Sequence, residues 1–309
     1  KGSERMILTV TCNPALDYLM TAPALRPGET NRAEETNLRA GGKGLNVSRM
    51  LAAFGVETRA VSFSAGDTGT MLEAMLGAEP FSTEWIRLPR GRTRINVKLS
   101  AAEETEINAP GAPVPEEAFE ALAERVSHLR PGDTLCLCGS LAPGMGADSY
   151  ARLLAAAPAG VQTVVDTVDE PLRLALAHRP FLIKPNREEL SRLAGRSLST
   201  LSQTERAAQW LRQQGAENVL VSLGGEGALL VSGAGVWYQP APAGAVRCAV
   251  SAGDSMVAGF LTAVSRGEPL PGALRLAVAT GSAVAFAGGA VTASAVAAIL
   301  RGLPALTGR

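Results

Sequence analysis

Aromatic side chains make up only 4% of this chain, and its 29 Lys and Arg residues are cancelled by 29 Asp and Glu. The first scarcity removes the stacking platforms that single-stranded nucleic acids and flat sugar rings need. The second removes the basic surplus that nucleic acid or an anionic membrane surface would select. Cysteine is scarce too. Cys12, Cys136, Cys138 and Cys248 have no disulfide-framework spacing, and 309 residues can bury a core without staples. Cys136 and Cys138 alternate with Leu135 and Leu137, so both face one side of a strand. With no His or second Cys pair nearby they make no closed metal site and read as buried, reduced thiols. No secretory pattern precedes Met6, and Lys1-Gly2-Ser3-Glu4-Arg5 reads as an appended leader. One long uncharged run, Leu276 to Leu300, could span a bilayer by length. Its Ala, Gly, Val, Thr and Ser content and the break at Gly288-Gly289 predict instead a buried helix, a connector and a second short helix.

What the chain does have is 33 glycines and an alternation of short β-rich runs with helical patterns. Strands are expected at Ile7–Thr11, Thr58–Phe63, Thr134–Cys138, Val161–Asp166, Phe181–Lys184, Asn218–Ser222 and Ala228–Val231. Helices are expected at Leu45–Phe54, Gly69–Leu76, Glu116–Leu129, Ala147–Ala157, Glu170–Ala177, Arg187–Leu193, Gln203–Gln214 and Ser255–Ser265. That order predicts an α/β fold with a mostly parallel central sheet and helices on both faces. Ligands in such folds lie beyond the carboxyl ends of the strands. Two stretches with polar alternation, residues 16–39 and 92–109, break the rhythm and are expected to form a small separate sheet. No repeat or flexible linker appears, so one domain over residues 6–309 is expected.

Four stretches carry candidate chemistry. In Val250-Ser251-Ala252-Gly253-Asp254 small residues lead into one carboxylate at the start of an apolar helix. Backbone N–H groups there could approach an anion, with Asp254 placed to take a proton from a nucleophile; a plain turn and N-cap explain the same residues. Gly41-Gly42-Lys43-Gly44-Leu45-Asn46 opens another helix and is not a P-loop, since no Lys-Ser or Lys-Thr follows the glycines. It is either a substrate-packing loop or a glycine-rich helix start. Lys184-Pro185-Asn186-Arg187-Glu188-Glu189 puts Asn186 and Glu189 three apart on one helical face. They suit Mg²⁺ or its waters, and equally a capping box. Ser222-Leu223-Gly224-Gly225-Glu226-Gly227 is a hairpin turn or a nucleotide-phosphate contact.

Together these stretches resemble, in order and spacing, the PfkB branch of the ribokinase-like sugar kinases, over nearly the whole chain. Thr11-Cys12-Asn13-Pro14-Ala15-Leu16-Asp17 is similar to that family's substrate loop, Gly41–Asn46 to its first signature, and Ala252-Gly253-Asp254 to its catalytic turn. Gly139-Ser140-Leu141-Ala142-Pro143-Gly144 falls in the expected place. Gly91–Leu99 and Gly253–Val257 resemble the branch that phosphorylates the 6-hydroxyl of fructose 1-phosphate. Tagatose-6-phosphate kinases usually differ at both places, and minor 6-phosphofructokinases lack the lysine of the glycine run. A sugar-phosphate-binding regulator without catalysis is the alternative of another class, and intact Asp254, Asn186 and Glu189 argue against it.

The resemblance implies a three-layer ribokinase-like fold with a small β-sheet lid, and a cytoplasmic homodimer paired through that lid. It implies ATP and Mg²⁺, with no nucleic-acid or membrane partner. Asp254 would be the general base, with amides of Ala252, Gly253 and Asp254 stabilising the transferring group. Asp17, Gly42, Lys43, Asn46 and Gly139 would bind the sugar, and Arg94 its existing phosphate. Lys184, Asn186, Glu189, Ser222, Gly224, Gly227, Gly281 and Ser282 would surround the nucleotide, with Asn186 and Glu189 nearest the metal. His128 and His178 receive no role. The departures are Cys248, Ala249 and Ser251, where the family usually carries Asn or Ser, Thr, and Gly. Ser251 is tolerable only at negative φ or where the left-handed cost is absorbed.

Overall fold

The computed structural model describes residues 5–309; of the leader expected at residues 1–5, the first four lie outside the described residues. The chain starts in β1 (Ile7–Thr11), leaves for β2 (Ala15–Thr21) and β3 (Glu35–Gly41), and returns through α1 (Lys43–Ala53). It continues through β4 (Thr58–Ser64), α2 (Gly66–Leu76) and β5 (Ser82–Arg87), then makes a second excursion as β6 (Arg94–Ser100) and β7 (Glu104–Ile107). Regular alternation follows: α3 (Glu116–Ser127), β8 (Thr134–Cys138), α4 (Ser149–Ala156), β9 (Gln162–Asp166), α5 (Asp169–Ala175), β10 (Leu182–Ile183), α6 (Arg187–Leu193) and α7 (Leu201–Gln213). The hairpin strands β11 (Asn218–Ser222), β12 (Ala228–Ser232) and β13 (Gly235–Gln239) lead to α8 (Ala252–Ser265), α9 (Leu270–Ala287), α10 (Ala293–Arg301) and β14 (Thr307–Gly308).

The main sheet has the order β14-β13-β12-β11-β10-β9-β8-β1-β4-β5. It is parallel from β11 through β5 and antiparallel at the β12–β14 edge. Period-2 alternation sorts its side chains into two layers. Leu135, Leu137, Val165 and Val219 pack towards the helices from α3 to α7. Cys136, Cys138, Val164 and Leu220 pack towards α1, α8, α9 and α10. The cysteines therefore do share a face, as residues of core size, and all four thiols are free. The uncharged run forms α9 and α10 around Gly288-Gly289, with α9 packed on α8 in the core.

The two excursions form one four-stranded sheet, ordered β3-β2-β6-β7. Its register places Asp17, Arg39, Asn96, Lys98 and Glu106 on one face and Tyr18, Leu38, Val97 and Ile107 on the other. Leu16 and Ala40 anchor its base against Leu45, Leu72 and Leu76. This anchoring puts the polar face beside the carboxyl end of β1 and the start of α1.

Candidate active site

Asp254 is the third residue of α8 and is only 6% exposed. Its Oδ2 accepts from Asn46 Nδ2 at 2.8 Å. Burial pushes its carboxyl pKa up to about 6; Lys43, Asn46 and Lys184 pull against that shift and Asp166 adds to it. The helix start is unusual. Its N-cap, Ser251, has φ +61°, in the left-handed region, and makes no side-chain cap; its Oγ donates to the Val250 carbonyl at 2.6 Å. The left-handed cost is therefore present, about 1–2 kcal/mol for a residue with a Cβ. The amide of Ala252 is already engaged by the Ala249 carbonyl at 3.2 Å, which corrects the expectation that three amides face an anion. Those of Gly253 and Asp254 have no backbone partner.

Three charged side chains stand against this turn. Asp166 ends β9 and is 1% exposed, with its Oδ1 at 3.2 Å from Lys43 Nζ and 3.5 Å from Lys184 Nζ. Burial opposes its ionisation, but Lys184 and Lys43 outweigh that and hold the carboxyl below its usual value. Burial likewise pulls Lys43 down, yet Asp166, Asp254 and Glu189 hold it above the usual lysine range. Lys184 lies against Gly253, where a Cβ would sit 3.2 Å from its Nζ. Gly139 follows β8, with its carbonyl accepting from Tyr150 and Thr167 and its Cα facing the Lys43 side chain.

On the lid side, Asp17 Oδ1 accepts from Asn96 Nδ2 at 3.0 Å. A Cβ on Gly41 would lie 2.2 Å from Asp17 Oδ2, so glycine here lets β3 pass that carboxylate without displacing it. Gly42 is the N-cap of α1, immediately before Lys43. A cleft of about 500 Å³ opens here, lined by Asp17, Arg39, Asn46, Arg49, Ser251 and Gly288 among others. Arg94 donates through its two Nη atoms to the carbonyls of Asn13 and Ala109, and its buried Nε has no partner.

The nucleotide-side residues divide. Asn186 and Glu189 do form the capping box: each backbone N–H donates to the other side chain at 2.8 Å. Ser222 bridges Asn186, and Gly224 and Gly227 bound a 3₁₀ turn in the β11–β12 hairpin. Arg187 grips Glu226 with both Nη atoms, tying the two stretches together. Gly281 is placed differently from the expectation. A Cβ there would meet Met256 Cγ at 2.6 Å and the Ala252 carbonyl at 3.1 Å, so it packs α9 on α8 rather than facing the cleft. Ser282, beside it, is half-buried, and His128 and His178 are exposed in the helical layer remote from these residues. Sequence reasoning missed Asp166, Arg49 and Glu79. An acidic residue closing a parallel strand was the available signal for Asp166; nothing local marked the other two.

The family described as pfkB family carbohydrate kinase matches residues 11–297. The chain belongs to that family. It is 39% identical to a 1-phosphofructokinase of Bacillus subtilis over 91% of this chain and 93% of the relative. It is 33% identical to a D-tagatose-1-phosphate kinase of Bacillus licheniformis, over 92% and 94%. The phosphofructokinase-2 of Escherichia coli, solved in complex with fructose-6-phosphate, superposes with a TM-score of 0.89 at 31% identity, covering 96% and 98%. The ribokinase-like fold and lid of this pfkB-family sugar kinase thus agree with the layers described above.

Proposed function

We propose that this pfkB-family kinase transfers the γ-phosphoryl group of ATP to the 6-hydroxyl of fructose 1-phosphate, giving fructose 1,6-bisphosphate and ADP. The transfer reading is carried by Asp254, a buried carboxylate with a pKa of about 6 at a helix start that no side chain caps. Such a group is ionised at neutral pH yet basic enough to take the hydroxyl proton. As the sugar oxygen bonds to phosphorus, the bond to the ADP oxygen breaks and the proton passes to Asp254. The free amides of Gly253 and Asp254, the α8 dipole, and the ammonium groups of Lys43 and Lys184 offset the charge on the moving group. An ion triad built on a buried Asp166 and a buried Lys184, with Lys43 partly exposed, contributes little net stability, which supports a chemical role for these three residues.

Asp17, Gly42, Asn46 and Gly139 surround the sugar in this reading, and Arg94, held by the Asn13 and Ala109 carbonyls, offers its unpartnered Nε–H and its charge to the 1-phosphate. ATP lies across Lys184, Asn186, Ser222, Gly224, Gly227 and Ser282. Among the described residues no cluster of three or more His, Cys, Asp or Glu could hold a metal alone. The residues present do fit Mg²⁺ bound through nucleotide phosphates and water. Asp166 Oδ2 is buried without a partner, and Glu189 keeps one oxygen outside the capping box. The ion, when bound, would neutralise phosphate charge.

The apolar lid face, with Ile95 45% and Ile107 65% exposed, supports pairing with a second copy of the chain. The Escherichia coli relative has also been solved in a tetrameric form. A monomer mass by light scattering would sink that pairing. Three buried free thiols support a reducing, cytoplasmic setting. The substrate assignment rests on the relative 39% identical to this chain. ADP release with fructose 1-phosphate, tagatose 1-phosphate, fructose 6-phosphate and tagatose 6-phosphate tests it. Fructose 1-phosphate should give the highest kcat/KM; preference for either 6-phosphate overturns the assignment, and thermal stabilisation without turnover overturns the kinase reading.

A further inference from the structure

Asn46 is held from both ends. Its Nδ2 donates to Asp254 Oδ2, while its Oδ1 accepts from Arg49 Nη1 at 2.9 Å. Arg49 in turn donates through Nε to Glu79 Oε1 at 2.8 Å, with the two side chains 21% and 25% exposed. Asn46 and Arg49 are three apart on α1, so they share a face. Glu79 comes from the turn after α2, and the hydrogen-bonded row reaches from there across α1 to α8. A guanidinium has only donors, so the amide must offer it oxygen, and the other end of the amide must then be the donor that meets Asp254.

We propose that Arg49, anchored by Glu79, is a positioning residue that fixes the Asn46 amide with its NH₂ towards the catalytic carboxylate. The inference rests on Asp254 as the base and adds how that base is kept ionised and aimed. An Asn46 released from Arg49 can turn its oxygen towards Asp254 Oδ2. A donor to the carboxylate is then exchanged for an acceptor, which disfavours the charged form. The other groups facing Asp254 are few. Lys43 comes from α1, Cys138 from β8, Asp166 from β9, and Lys184 from the segment after β10. Glu189 of α6 acts on Lys43. From α9 the one charged residue is Arg275, which is tied to Gln239 and the Pro304 carbonyl. None of these hydrogen-bonds Asn46, so the row through Arg49 is a separate lever on the same carboxylate.

The test measures kcat against pH for wild type, Arg49→Met, Arg49→Lys and Glu79→Gln, and repeats Arg49→Met in an Asn46→Ala background. Arg49→Met should move the acid limb up by about one pH unit and lower kcat about fivefold at pH 6 and about twofold at pH 7, with KM for ATP within about twofold. Arg49→Lys and Glu79→Gln should shift the limb less in the same direction, and they carry the test if Arg49→Met does not fold. With Asn46→Ala already present, Arg49→Met should shift nothing further. An unmoved limb, or an equal shift without Asn46, overturns the proposal. Carboxyl-carbon NMR of Asp254 in the free enzyme, assigned against Asp254→Asn, reads the same titration without catalysis. It separates the two failures: a shift there with full turnover in Asp254→Asn overturns the base and leaves the row standing, whereas no shift there overturns the row itself.

Discussion

Two helices of this kinase begin within reach of Lys184, and they begin in opposite ways. At α6, Asn186 and Glu189 close a capping box, so the amides of these two residues are met by each other's side chains. At α8 the N-cap is a left-handed serine without a capping bond, followed by Ala252 and Gly253, and the amides of Gly253 and Asp254 have no backbone partner. Local hydrogen bonds satisfy the first start, which would form in many contexts. The second leaves free donors and the helix dipole beside a buried carboxylate, and that arrangement persists only because packing supplies it. Lys43 and Asn46 reach it from α1 and Lys184 from the segment after β10, and Gly281 lets α9 close on its back. The difference separates a helix start that is structure from one that is a site.

The largest expected effect breaks the open start. Asp254→Asn should lower kcat by about 10²–10⁴ with the fold intact, as loss of a general base does. In wild type the carboxyl, raised to about 6, loses its negative charge as pH falls through that value, so the rate should fall below about pH 6. That acid limb should be absent from the residual activity of the variant. Turnover close to wild type would remove Asp254 from the mechanism.

An intermediate effect asks whether the closed start is only a cap. Glu189→Gln keeps an oxygen that can accept from the Asn186 N–H while removing the charge. The Mg²⁺ concentration for half-maximal activity should rise several-fold, with Tm within about one degree. An unchanged Mg²⁺ dependence would reduce Glu189 to its structural part. The smallest effect concerns Ser251. Ser251→Gly removes the left-handed penalty at φ +61° but adds freedom to the unfolded chain, so Tm should rise by roughly one to three degrees. A fall in Tm would mean that the serine side chain contributes more than its conformation costs.

Much of this molecule was legible in the sequence, because it is written in local patterns. Ile7–Thr11, Thr134–Cys138, Asn218–Ser222 and Arg187–Leu193 form as their periodicity and caps require. The polar-alternating excursions pair into the separate sheet, since their period of two suits a half-exposed surface. The lone small-residue turn before Asp254 was equally readable, as was the possibility that Asn186 and Glu189 cap a helix. By itself the sequence determined the parallel sheet, its two helical layers, and the short list of segments able to carry chemistry.

The tertiary structure alone decided which of those residues meet. Asp166 lies far along the chain from Lys43, yet the β8–β9 pairing and the start of α1 bring them to 3.2 Å. Arg49 and Glu79 gain meaning only when α1 passes between the turn after α2 and the start of α8. Gly281, which the family resemblance put beside the nucleotide, is placed by helix packing against Met256. Propensity and periodicity act over a few residues, whereas charge pairing, amide orientation and close approach act through space. Only the folded chain could make the turn at Asp254 a buried, supported and uncapped one.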